Sequence, residues 1–483
     1  MIMNTKHIFL TLWAIIGTMA LASCNDWLDV EPKSQIKEEK QFSREGGYKD
    51  QLTGVYTAMA TPQMYGLNMG IGFVEVLSHS YNVSANGKWR YANDFNYTQS
   101  TSKSTINEIW RNTYNCIANL NILIRNIDKA DSTSFTANHY HLYRGEAYGL
   151  RAFLHLDLMR LFAAAPGTDA QAMGVPYVTE YATSVVPQKS VKETMQLIIN
   201  DLLTAHQELS HDSLLLSKNR YQFRADRTCY FNYYACALTL ARAYLWAGDK
   251  TNALKYANEV IHALDEKMNI PFSWIDYTNM QQTGLNELDM AFSCEHIFHL
   301  TVNNWEDIAN YYFAKKGGDD VLNPSDATQQ DIYEVSRGFG NDYRYLKGYT
   351  MDGDTKYLCK FWHVEGGKYN DIYPLLRMSE AWYIAAESLE DSEPEKAVEL
   401  LNEVRDNRNL KLFPLDSSLT PQQIQQEIYK EYRKEFVGEG GQLFFYYKRR
   451  NAQQIAGTAV KPGKSVYVLP IPENDVEFGG YGN

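Results

Sequence analysis

Apolar residues recur three and four positions apart along much of this chain, the spacing that lines one face of an α-helix. Ile106, Ile109, Ile117, Leu120, Leu123, Ile124 and Ile127 form one such stripe, and Ala147, Leu150, Leu154, Leu158 and Leu161 form a second within Tyr143 to Phe162. A further helix is expected over about Val191 to Leu209.

Two later stretches read as helical hairpins. In the first, a helix runs through Trp246, Gly248 stops it, Asp249 caps the next one, and a second helix follows. Tyr244 and Ala253 fall at the spacing of tetratricopeptide repeats, in which a small residue lets two helices approach closely. In the second, Leu375, Met378, Trp382, Ala385 and Leu389 make a single stripe. Ser392 with Glu395 reads as a capping box there, and Pro394 falls in the first turn of the following helix.

Helical periodicity fails in two places, about 62–104 and 269–373, where Gly, Asn, Asp and aromatic residues take over. Loops this long inside a compact domain are usually functional. Within the second, "CEHIFHLTV" alternates like a strand. A strand points His296 and His299 to opposite faces, so the element cannot chelate one metal ion with both.

The N-terminal residues read as a targeting segment. Lys6 precedes the uncharged run Ile8 to Ala22, which is short for a membrane span, since about 20 apolar residues are needed to cross a bilayer. Leu21-Ala22-Ser23-Cys24 resembles the lipobox of bacterial lipoproteins, so residues 1–23 are expected to be a signal peptide and Cys24 the lipidated first residue of a single unit, 24–483. Asp26, Asp29 and Glu31 behind it resemble the acidic export tract of surface lipoproteins in Bacteroidetes.

Net charge is −12 with the basic residues scattered, which argues against nucleic acid as a partner. Cys116, Cys229, Cys236, Cys294 and Cys359 contain no C-x-x-C pair and read as small core hydrophobes. No nucleophile elbow, phosphate loop or dinucleotide fingerprint occurs in its required context, and no carboxylate pair is marked for glycoside hydrolysis. Glu146, Arg151, Asp157 and Arg160, and likewise Glu380 and Glu387, read as helix-packing and surface charges. The chain is therefore expected to be a binding protein without cofactor or metal.

The composition holds 35 Tyr, 9 Trp and 20 Phe, beyond what a helical core needs. They concentrate in "SYNVSANGKWRYANDFNY", residues 80–97, where aromatics alternate with asparagines and Asn86-Gly87 favours a tight turn. Aromatic rings pack the C–H face of a sugar, and amides and guanidinium bond its hydroxyl rim. Tyr81, Asn86, Trp89, Arg90 and Tyr91 are thus candidate ligand-binding residues, with Trp274, Tyr277, Trp305 and Trp362 of the second irregular region as weaker candidates of the same type.

Together these segments resemble the SusD/RagB family, the surface nutrient-binding lipoproteins of Bacteroidetes. The resemblance begins at "CNDWLDVEPKSQI" and continues through Glu146, Ala147, Arg151, Ala152, Phe153, Asp157, Leu158, Arg160, Leu161, Phe162 and Pro166. It includes Pro324, Ser325, Asp342 and Arg344, and closes at "EIYKEYRKEFVGEGGQLFFYYKRRN" and "VYVLPIPENDV". It implies a mainly α fold of tetratricopeptide-like helical pairs packed against an irregular, ligand-bearing half. It also implies an outer-membrane, lipid-anchored protein facing the cell exterior, with a SusC-like TonB-dependent transporter as partner and an oligosaccharide as ligand. Peptide cargo, as in RagB-type members, and a tetratricopeptide scaffold for envelope assembly are the alternatives. The shared motifs are scaffold motifs, so no ligand residue follows from the resemblance.

Overall fold

The computed structural model describes residues 33–181, 184–212, 227–263 and 272–482. Residues 1–32, with the expected signal peptide and Cys24, lie outside them. The chain forms two compact units, residues 1–50 and 51–483. The first contains the helix Lys33–Phe42, and the Phe42 ring meets Tyr48 edge-on at 4.9 Å.

The second unit is built on long helices. We label them α1 (Ser100–Ile127), α2 (His139–Phe162), α3 (Val191–Leu209), α4 (Tyr233–Ala247), α5 (Lys250–Ala263), α6 (Ser379–Leu389), α7 (Pro394–Asp406), α8 (Pro421–Glu435) and α9 (Gln442–Arg449). Successive helices pack as neighbours: α1 on α2, α2 on α3, α3 on α4, α4 on α5, α5 on α6 and α6 on α7. The stripe expected on α1 is buried throughout, whereas α2 is buried on every face from Leu142 to Phe162 except at Arg144 and Tyr148, as befits a central helix.

Helix ends follow local chemistry. Glu193 N–H donates to Ser190 Oγ at 3.2 Å and Ser190 N–H to the Glu193 carboxylate at 3.0 Å, a reciprocal cap at the start of α3. Gly248 ends α4 in the left-handed region at φ +85°, where a β-carbon would be strained. Asp249 then caps α5, accepting from Asn252 N–H at 3.0 Å. At α7 the expected Ser392–Glu395 box does not form. Glu393 stands at the cap position without a side-chain bond, and Pro394 opens the helix with its φ already set.

The stripe that began at Leu375 also changes element. Ile372–Arg377 is strand β4, paired antiparallel with β1 (His296–Thr301), and the helix starts only at Ser379. Strand pairing wins because it joins two distant segments and buries Tyr373 and Leu376. Between them β2 (Tyr349–Asp352) and β3 (Thr355–Leu358) form a hairpin.

Strand β1 corrects the expectation for its histidines. Register shifts on both sides of Phe298 break the alternation, and the His296 and His299 rings lie 5.5 Å apart instead of facing opposite ways. Both are buried, His296 with its Nε2 3.2 Å from the Ala291 carbonyl and His299 with its Nε2 3.2 Å from Cys229 Sγ. Among the described residues no three His, Cys, Asp or Glu side chains are grouped to hold a metal ion.

The charges on the helices are core elements and not surface pairs. Arg151 of α2 forks onto Asp201 of α3 at 2.7 and 2.9 Å, and Arg242 of α4 onto Glu380 of α6 at 2.7 and 2.6 Å. Arg449 of α9 forks onto Glu387 of α6 at 2.6 and 2.7 Å. Asp157 and Arg160 do pair three residues apart, inside the core. Glu435 at the end of α8 is held by Arg377, Arg408 and Arg344 at 2.6–2.8 Å, all four groups being buried. Burial pushes the Glu435 carboxyl up, and the three guanidinium groups more than reverse that, holding it well below the usual carboxylate range. Planar guanidinium forks suit such buried junctions because they satisfy both carboxylate oxygens at once.

Candidate functional site

The two irregular regions meet. Asn82 and Asn323 form an antiparallel bridge, with Asn82 N–H donating to the Asn323 carbonyl at 3.1 Å. From there the 80–97 loop lies along residues 311–323. Ser84 Oγ donates to Asp319 at 2.7 Å, Lys88 N–H to Asp320 at 2.6 Å, and Lys88 Nζ to the Tyr312 hydroxyl at 3.1 Å. Tyr311 reaches the other Asp320 oxygen at 3.0 Å.

Glycine 87 permits this docking. A β-carbon there would lie 2.3 Å from the Asp319 carbonyl oxygen, well inside any real contact. The Asn86-Gly87 turn anticipated from the sequence is present, with Gly87 N–H bonded to the Ser84 carbonyl at 3.0 Å.

Beyond the turn the candidate residues divide. Arg90 is exposed, its guanidinium lying 4.3 Å from the Tyr91 ring centroid and donating to the Tyr91 hydroxyl and the Ala85 carbonyl, both at 2.9 Å. Tyr91 is half-buried and Asn86 exposed. These three, with Lys88, line an accessible strip of aromatic, amide and cationic groups beside the Asp319 and Asp320 carboxylates. Burial pulls the Lys88 ammonium down from its ordinary value, and Asp320 opposes that pull.

The remaining candidates are placed elsewhere. Trp89 is 2% exposed, tilted against Tyr312 at 5.7 Å with its ring edge next to Gly72, so neither indole face meets solvent. Its indole N–H is buried and has no hydrogen-bond partner, while Lys88 Nζ sits 4.5 Å from its ring centroid. Tyr81 is 6% exposed and donates to Glu75 at 2.8 Å. Trp305 is 1% exposed and its indole donates to the Phe361 carbonyl at 2.8 Å. The expectation that these three rings stack on a ligand is therefore corrected: they are core anchors beneath the loops, since large aromatics bury far more area than a rim position offers. Trp274 is half-buried and belongs to another neighbourhood, edge-on to Trp382 at 4.8 Å and beneath the Arg408 guanidinium. Trp362 is half-buried with its indole bonded to the Phe313 carbonyl at 3.1 Å, and Tyr277 is exposed.

Glu75, buried beneath Tyr81, was not singled out by sequence reasoning. It accepts from Gly438 N–H, Gly441 N–H and the Tyr81 hydroxyl, each at 2.8 Å. Burial raises its carboxyl to about 7 against the pull of these donors. Asp319 and Asp320 were missed too. Their signal was available in "KKGGDD", 315–320, a glycine pair flanked by charges where a tight turn presents carboxylates.

Elsewhere the scaffold offers little room at its centre. A cavity of about 30 Å³ among Asp157, Arg160, Arg242, Arg377, Glu380 and Glu439 has space for about one water molecule. Among the described residues no helix is long and apolar enough to cross a membrane.

Two family models match the chain. One, described as starch-binding and associating with the outer membrane, covers residues 26–245, and the other, the SusD family, covers residues 302–477. The SusD-like protein P38 of Formosa agariphila is 23% identical over 501 residues, spanning 94% of this chain and 93% of that protein. Among solved structures, a putative sugar-binding protein of Bacteroides vulgatus superposes with a TM-score of 0.69 at 22% identity, covering 90% of this chain and 96% of that one. A SusD superfamily protein of Bacteroides thetaiotaomicron gives a TM-score of 0.69 at 19% identity, covering 90% and 98%. The mostly helical architecture is thus that of the SusD superfamily, and the chain belongs to the SusD/RagB family.

Proposed function

We propose that this protein is a non-enzymatic binding component of a nutrient importer. It captures oligosaccharide at the strip where the 80–97 loop docks on residues 311–323 and passes it to a SusC-like TonB-dependent transporter in the outer membrane. It is held at the outer face through a lipid on Cys24. The observation that carries this reading is the strip itself. Arg90 stacked on Tyr91, Asn86, Lys88 and the Asp319–Asp320 carboxylates bring donors, acceptors and a ring edge from two remote segments onto one accessible surface. A sugar presents hydroxyls that both give and take hydrogen bonds around an apolar ring face, and this mixture matches it. Trp89, packed on Tyr312, supports the strip from the core side instead of contacting the ligand.

Native gels cast with soluble starch, or with other soluble plant or host glycans, test the reading. Retarded migration in at least one glycan is expected. Unretarded migration in all, together with a peptide pool that co-purifies with the protein, would replace the oligosaccharide by peptide cargo.

A further inference from the structure

A groove that shares no lining residue with the loop strip is formed beside α1. It has a volume of about 340 Å³ and is lined by side chains from α1, from residues 176–181, from Ser184 and Val186, and from Asp475 and Tyr481. Helix α1 supplies exposed Arg111 and Asn115 and half-buried Tyr114, whose hydroxyl is fixed on the Pro176 carbonyl at 2.8 Å. The middle stretch supplies Glu180 and Tyr181, the latter 58% exposed. Tyr481 closes the far side. Its position is set by a reciprocal pair of bonds next door, Gly482 N–H to the Gln188 side-chain oxygen and Gln188 Nε2 to the Gly482 carbonyl, both at 2.9 Å. Asp475 lines the same wall.

Arg111 and Glu180 have no ion-pair partner among the described residues, in a protein whose core carboxylates and guanidinium groups are forked together. Their hydrogen-bonding capacity is therefore available to a ligand. Three tyrosines, one guanidinium, one amide and two carboxylates around a concave space form a site that both donates and accepts beside apolar ring faces. The volume falls at the small end of ligand pockets, which run from about 300 to 1,000 Å³, and suits one or two sugar rings.

We infer that this groove is a second saccharide-binding site, specific for a neutral ligand of one or two rings and independent of the loop strip. The guanidinium speaks against a cationic ligand and the two carboxylates against an anionic one. The inference stands on the groove's geometry and does not require the loop strip to bind anything.

Saturation-transfer difference NMR on the purified full-length protein, with maltose, cellobiose, lactose and xylobiose as separate probes, tests it. At least one disaccharide is expected to bind. Tyr181→Ala and Arg111→Ala, both at exposed positions that leave folding intact, should each weaken that binding about tenfold or more. Leu412→Ala, exposed and outside both the groove and the strip, should leave it unchanged. Saturation transfer to none of the four probes overturns the inference. So does disaccharide binding that is lost in an Arg90→Ala/Tyr91→Ala variant and kept in the groove variants, a result that would still leave the strip's proposed role intact. Choline binding that Tyr181→Ala abolishes, with no disaccharide competing, would make the groove a cation site and also overturn it.

Discussion

Gly87 and Asp319 are in backbone contact across 232 residues of sequence, so close that a β-carbon on residue 87 would sit 2.3 Å from the Asp319 carbonyl oxygen. The contact fixes one irregular region on the other. Gly87→Ala must push them apart, because a backbone oxygen cannot rotate away as a side chain can. Weaker oligosaccharide binding is expected together with a loss of stability of about 1–3 kcal/mol, the range for overpacking a tight contact. Calorimetric titration and chemical denaturation of the one variant check both.

Trp89 and its neighbour Arg90 should separate cleanly. Trp89→Ala removes a buried ring and should cost about 3–5 kcal/mol of stability. Arg90→Ala, at an exposed position, should stay within about 0.5 kcal/mol of the parent while reducing glycan affinity. Denaturant unfolding of the two proteins measures the contrast. Equal stabilities would mean that the indole is not the anchor described.

Glu435 is the carboxylate on which three guanidinium groups converge. Glu435→Gln leaves Arg377, Arg408 and Arg344 short of a counter-charge in the core and should destabilise the protein by about 3–5 kcal/mol. The same group makes an acid limb. Its pKa lies below the unfolded value, so its stabilisation is complete above that value, about 4.3, and is lost progressively as pH falls beneath it. Glu387, buried and then pulled down by Arg449, contributes in the same direction. Midpoints of thermal unfolding between pH 3 and 6 should drop on the acid side, less steeply in Glu435→Gln.

Glu75 contributes with the opposite sign. Its folded value, about 7, lies above the unfolded one, so the stabilisation from this group is full below the unfolded pKa and declines as pH rises toward 7. The difference corresponds to something on the order of 3 kcal/mol. Glu75→Gln cannot titrate, and its stability should be flatter between pH 4.5 and 7.5 than that of the parent. An unchanged slope would show that Glu75 stays ionised throughout, held by its three donors.

The helices were legible in the sequence where periodicity and caps agree. Helix α3 has the bounds its pattern predicts, and Gly248 ends α4 where a left-handed residue was required. Leu375 to Met378 misled because a short apolar run fits a strand as well as a helix, and its pairing partner, β1, lies some 75 residues upstream. The bulge at Phe298 was invisible for the same reason. At the loop strip, residue type showed where aromatics and amides gather but not which way each ring faces. Tyr81, Trp89 and Tyr91 look alike in sequence, and only the docking of 311–323 decides that the first two are covered and the third is left at the surface.

The strip formed by Arg90 and Tyr91 where the two irregular regions meet is expected to bind an oligosaccharide. Isothermal titration calorimetry of the parent protein and the Arg90→Ala/Tyr91→Ala variant, against a panel of plant and host oligosaccharides, tests it most directly. At least one glycan is expected to bind the parent, and the variant, with an unchanged melting temperature, to bind it at least about tenfold more weakly. Equal affinity in the two proteins, or no heat from any glycan in the panel, would contradict it.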